Sequence, residues 1–213
     1  MTLSLDNTLG DLVAHQPGVI PVLDQLHLDW CADGHRSLEE ACHQAHLPVA
    51  PVLRELAQAP TRPNRWLHRG LDALVRHLIV DHHAPLVAQL DDAVSLAVAA
   101  RPHPAADEVL WVLAHLRDDL VAHLAQEERM VFPSILAGTT AWSSVNQMDH
   151  SHHDAFVALS LLRRLTGRYH AAPASPPAWR ELCQALARTD HRLREHLHLE
   201  TFVLFPRALR AAS

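Results

Sequence analysis

A chain of 213 residues, 48% of them hydrophobic, has room for one full-sized domain and a small one. The net charge is −6, all 18 cationic residues are arginine, and no basic run exceeds two or three residues, so nucleic acid is disfavoured as a partner. The sequence lacks an apolar run long enough for a membrane span, and its N-terminus lacks the basic and apolar regions of a secretory signal. The three cysteines, Cys31, Cys42 and Cys183, are too scattered and too odd in number for a disulfide framework. A reducing cytoplasm is the expected compartment. The 19 histidines outnumber the arginines, and imidazole is the commonest metal ligand.

Glycine is rare, and Leu and Ala recur at helical spacing, which predicts an all-α protein. Residues 1–58 read as a small helical domain. Pro17-Gly18 breaks its first helices, and Ser37-Leu-Glu-Glu40 has the form of a capping box that starts a helix towards His46. The proline-rich stretch 59–65 reads as a linker. Residues 66–211 hold four long helical patterns, at about 66–100, 106–137, 141–169 and 178–211. Their short connections predict an up-down-up-down four-helix bundle. Pro85 falls inside the first and is expected to kink it. Pro133 and Pro206 are expected to tilt or end the last turns of the second and fourth.

The second and fourth helices share a pattern at an offset of 73 residues. One reads His123-x3-Glu127-x4-Phe132-Pro133, the other His196-x3-Glu200-x4-Phe205-Pro206. Positions i and i+4 share one helix face, so an imidazole and a carboxylate point to the same spot. The spacing itself is common in so histidine-rich a chain, and also occurs at His35/Glu39 and His191/Glu195. Only two pairs carry the Phe-Pro continuation, and those two follow apolar stripes: Leu116, Leu120 and Met130 around His123; Leu193, Leu199 and Val203 around His196. His191 sits between Arg188 and Arg194 and is expected to face water. Buried carboxylates need a counter-charge. The chain has no Lys, and no Arg lies on their stripe, so a divalent metal is the economical partner.

Helices one and three should complete the shell. His83, among Ile79, Val80, Leu86 and Val87, is chosen over its neighbour His82. His152, between Met148 and Phe156, is chosen over His153 on a more polar face. Both alternatives stay open, and Asp149, His150 and His153 are candidates to orient His152. His103, His170 and His198 read as loop or surface residues, and the five tryptophans as packing. Four His and two Glu are too many for one tetrahedral zinc. They suit two ions bridged by both carboxylates, with iron, manganese or zinc as candidates; bridging carboxylates with open positions favour iron.

At these residues the chain resembles the iron–sulfur cluster repair di-iron proteins (the RIC family), which join an ScdA-type N-terminal domain to a haemerythrin-like bundle. The matching segments are Val80-Asp-His-His83 with Leu86, His123-x3-Glu127-Glu-x3-Phe-Pro133, Met148-x3-His152 and His196-Leu-His-Leu-Glu200-x4-Phe-Pro206, together with Thr8-Leu-Gly-Asp-Leu, Leu28-Asp-Trp-Cys31-Ala-Asp-Gly34 and Ser37-Leu-Glu-Glu-Ala41-Cys in the N-terminal part. The resemblance implies that His83, His123, Glu127, His152, His196 and Glu200 hold two non-haem iron ions per chain, carboxylate-bridged and open to an oxo or hydroxo bridge. It implies repair of iron–sulfur clusters damaged by nitrosative or oxidative stress. The routes would be iron donation to damaged iron–sulfur proteins, or binding or reduction of NO. NO and O2 are the implied small ligands, and a homodimer is compatible with it. The family carries Cys-Cys where this chain has Cys31-Ala32. A single thiol at Cys31 leaves metal binding, mixed-disulfide formation and plain packing as alternatives. Two other functions stand beside repair: a haemerythrin-like O2 or NO sensor, and a metal-storage protein.

Overall fold

The computed structural model describes residues 3–212, apart from the side chains of Ser144, Gln147 and Asp149. The described residues are helical with no β-strand; the nearest approach to one is an isolated bridge between Thr8 and Ser37. None of their helices is long and apolar enough to cross a membrane. Two compact units form, Met1–Gly70 with Leu197–Arg207 and Leu71–His196 with Ala208–Ser213.

In the first unit, α1 (Leu9–His15) starts where the Thr8 hydroxyl accepts from the Asp11 N–H at 3.1 Å. After α2 (Ile20–Gln25) comes α3 (Leu38–Gln44), opened by the expected capping box: the Glu40 N–H donates to Ser37 Oγ at 3.2 Å, and the Ser37 N–H donates to Glu40 Oε2 at 3.0 Å. The last short helix is α4 (Val49–Gln58). Leu9, Leu12, Leu23, Trp30, Leu38 and Leu56 fill the core. The C-terminal segment of this unit enters that core through Phe202. Its ring lies where a Cβ on Gly10 or Gly34 would come within 2.2 Å or 2.4 Å. Beside it, His198 stacks on Phe202, packs edge-on against Trp30 and donates from Nε2 to the Gly10 carbonyl at 2.9 Å. His198 is therefore a buried anchor, not the loop or surface residue expected.

The second unit is a helical bundle. Its first rod runs α5 (Leu71–His77), a π-helical turn π1 (Leu78–His83) and α6 (Ala84–Ala99). The second runs α7 (Ala106–Gln126), π2 (Glu127–Val131) and α8 (Phe132–Leu136). The third is α9 (Trp142–Leu165). The fourth begins as α10 (Pro177–His198) and continues through π3 (Leu199–Leu204) into α11 (Phe205–Ala212), its stretch Leu197–Arg207 belonging to the first unit. α7 packs on both α6 and α9. The first rod starts at Leu71 rather than Trp66: Trp66 lies in a short 3₁₀ turn, and Gly70, a poor helix former, precedes the regular helix.

Pro85, Pro133 and Pro206 each follow a π turn by two residues, whereas α9, which contains no proline, has no π turn. A proline inside a helix lacks one N–H and its ring crowds the carbonyl four residues back. Bonding to the fifth residue back absorbs both defects, so the helices continue where an end or a simple kink was expected. The extra residue also shifts the register by about 100°. Met130, placed on the core stripe by α-helical spacing, is thereby turned out to 66% exposure. Among the tryptophans, Trp30 and Trp179 are buried, but Trp111 and Trp142 are exposed and pack little.

Gly10→Ala should destabilise the protein by about 1–3 kcal/mol through overpacking against Phe202, in chemical denaturation. This reverses the gain of about 1 kcal/mol that Gly→Ala normally brings inside a helix.

Candidate metal centre

Each carboxylate of the repeat sits at the junction of an α-helix and a π turn. Glu127 opens π2 one turn after His123, and Glu200 lies at the start of π3 one turn after His196. His83 closes π1, and His152 projects from the middle of α9. All six side chains are buried, and Glu127, His196 and Glu200 are wholly inaccessible. Two overlapping groups result, His83–Glu127–His196–Glu200 and His123–Glu127–His152–Glu200. Within each, one ligand atom per residue lies within 4.8 Å of every other. The imidazoles fall into the same two pairs, His83 with His196 at 5.0 Å between centroids and His123 with His152 at 5.1 Å. Both carboxylates belong to both groups.

Glu127 faces nitrogen on both sides. Its Oε1 is 3.1 Å from His123 Nε2; its Oε2 is 3.6 Å from His83 Nε2 and 4.0 Å from His196 Nε2. None of these contacts is aligned as a hydrogen bond, and among the described residues neither Glu127 oxygen, nor His83 Nε2, nor His123 Nε2 has a hydrogen-bond partner. Burying such atoms unsatisfied is costly. Burial, reinforced by the neighbouring His123, holds His152 down at about 3. Burial first, then the surrounding imidazoles, hold His196 well below its usual range. Both rings are therefore neutral at neutral pH, the form that ligates. Arg194 pairs at 3.1 Å with buried Asp190, which also holds Arg163 at 2.7 Å and accepts from the Tyr169 hydroxyl. A mixed imidazole–carboxylate set with its donor atoms converging in this way fits first-row divalent ions such as iron, manganese or zinc.

The sequence candidates are thus separated. His83 and His152 lie in the convergent groups; His82 is buried outside them, and His150 and His153 are exposed. The side chain of Asp149 lies outside the described residues. Cys31 is buried in the first unit. One residue that sequence reasoning passed over is Glu128. Its carboxylate accepts from His83 Nδ1–H at 2.8 Å, which leaves Nε2 as the lone pair facing Glu127. The Glu127-Glu128 pair was visible in the sequence, but the partner 45 residues away was not. The cluster His77–Asp81–His82 was also missed, because π1 brings together residues that an α-helix would place about 140° apart.

Glu128→Ala should lower affinity for a first-row divalent cation about 10–100-fold, measured by competition with a chromophoric chelator. The helical content should be unchanged, since Glu128 is half exposed.

Comparison with known proteins agrees with this geometry. The family model described as Hemerythrin HHE cation binding domain matches residues 74–208, and that described as Domain of Unknown function (DUF542), ScdA_N, matches residues 5–60. The chain is similar along nearly its whole length to proteins named iron–sulfur cluster repair protein YtfE. It is 30% identical to that of Dickeya chrysanthemi and 29% to that of Musicola paradisiaca, with 96% of this chain and 97% of each relative covered. It is 28% identical to that of Escherichia coli O157:H7 over the same shares. The chain belongs to the haemerythrin HHE cation-binding family.

Proposed function

We propose that this chain repairs iron–sulfur clusters damaged by nitrosative or oxidative stress, using a di-iron centre held by His83, His123, Glu127, His152, His196 and Glu200. His83 and His196 serve one ion, His123 and His152 the other, and Glu127 and Glu200 are shared. The observation that carries this reading is the membership of both fully buried carboxylates in both ligand groups. Two carboxylates common to two groups that each hold an imidazole pair support two ions sharing them. The name borne by the full-length relatives supports the repair role.

Bound iron would supply redox capacity, an open position for NO or O2, and a store from which iron can be donated. The protein's own contribution is positional. Glu128 fixes the tautomer and orientation of His83. Burial keeps His152 and His196 neutral. Phe132, buried and stacked on His83 at 5.5 Å between ring centroids, helps exclude water and strengthens charge–dipole contacts there. Iron donation requires a ligand set that can open, and carboxylates at the mouths of π turns rest on helix segments already out of regular register. A damaged iron–sulfur protein is the transient macromolecular partner, and the cytoplasm the compartment. Cys31, buried with its thiol inside the first unit, serves packing there.

Anaerobically purified protein should carry about two irons per chain. The Glu127→Ala/Glu200→Ala double variant should lose both, along with the ability to restore a nitrosylated [4Fe–4S] acceptor. A variant that keeps its iron would refute the ligand assignment. Iron-loaded wild type that leaves the damaged acceptor unrestored would refute repair while leaving the centre standing.

A further inference from the structure

Beside the centre lies a cluster that the proposed function does not use. Across the start of π1, His77 at the end of α5 and His82 are five residues apart, one π turn, and their Nε2 atoms stand 3.4 Å from each other. The Asp81 carboxylate accepts from His77 Nδ1–H at 2.6 Å. A carboxylate only accepts, so in neutral His77 the Nε2 lone pair is turned towards His82. We propose that His77 and His82 form a separate mononuclear site for a divalent first-row cation, a way station for iron entering or leaving the buried centre.

Three observations carry this. The first is the spacing. A separation of 3.4 Å is long for a nitrogen–nitrogen hydrogen bond. Two imidazole nitrogens about 2.0–2.1 Å from one tetrahedral ion stand about 3.4 Å apart. The second is the carboxylate–imidazole pair Asp81–His77, the outer-shell arrangement that fixes the ring of a metal-bound histidine. The third is position. His82 is buried, adjacent in sequence to His83, and 5.9 Å from His196 between ring centroids; His77 is partly open to water. One imidazole thus adjoins the centre and the other adjoins solvent.

The pair also has a built-in reason to bind weakly. Binding through His82 Nε2 puts the proton on Nδ1, which is buried without a hydrogen-bond partner. Two protein ligands with water completing the shell, at that cost, suit an ion that must move on. The site itself needs only His77, His82 and Asp81; its role as a way station rests on the di-iron reading.

The test uses the full chain with iron already loaded. Co2+ is titrated anaerobically and followed by its visible tetrahedral absorption and by calorimetry, with iron counted in the same samples. Wild type should take up one further Co2+ per chain. His77→Ala should abolish that uptake with unchanged iron, and Asp81→Ala, an exposed change, should weaken it about 10–100-fold. No further Co2+, or uptake equal in wild type and His77→Ala, overturns the site. If the centre fails to retain iron, uptake that depends on His77 is still read, so the two ideas fail separately. Transfer of iron to a ferrous chelator should be several-fold slower in His77→Ala at equal iron content; an equal rate overturns the way-station role.

Discussion

The structure turns on two carboxylates sealed from water among four imidazoles. Glu127 and Glu200 are fully buried, in a chain without lysine. Sealing a carboxylate from water costs several kcal/mol unless a counter-charge recovers it. Such a cost persists in a protein only where something else recovers it, and a divalent ion recovers it through direct bonds to oxygen. The neutral state of His152 and His196 is the complement of this, since burial that opposes imidazolium leaves the lone pairs available.

Proline is the second element of the construction. Three of the four rods carry one just beyond a ligand segment, and each of those rods widens into a π turn there. The widening does more than accommodate a missing N–H. It places Glu127 and Glu200 at a change of helical register, turns Met130 outwards, and brings His77 onto His82. In the first unit, the residues on either side of Glu200 are tied down separately. Phe202 fills the space left by Gly10 and Gly34, and His198 bonds the Gly10 carbonyl. The segment that carries Glu200 thus belongs to the first unit.

Much of this was legible from the sequence, for identifiable reasons. The His-x3-Glu repeat reaches only the entry of each π turn, where the i, i+4 relation is still α-helical, and His123 and Glu127 face one another at 3.1 Å. The capping box at Ser37 is a purely local signal and formed as expected. Failures begin where the period changes. Met130 lies inside π2, and five-residue neighbours such as His77 and His82 are invisible to a period of 3.6. His198 was misread because its partners, Gly10 and Trp30, are far away in sequence. Glu128 was passed over for the same reason, its partner His83 being on another rod.

The central claim is that two ions share Glu127 and Glu200 between two imidazole pairs. Anomalous diffraction at the iron edge from crystals of the iron-loaded protein tests it most directly. The account predicts two iron peaks, one against His83 and His196 and the other against His123 and His152, with both carboxylates touching both. A single peak, or iron bound away from Glu127, would contradict it.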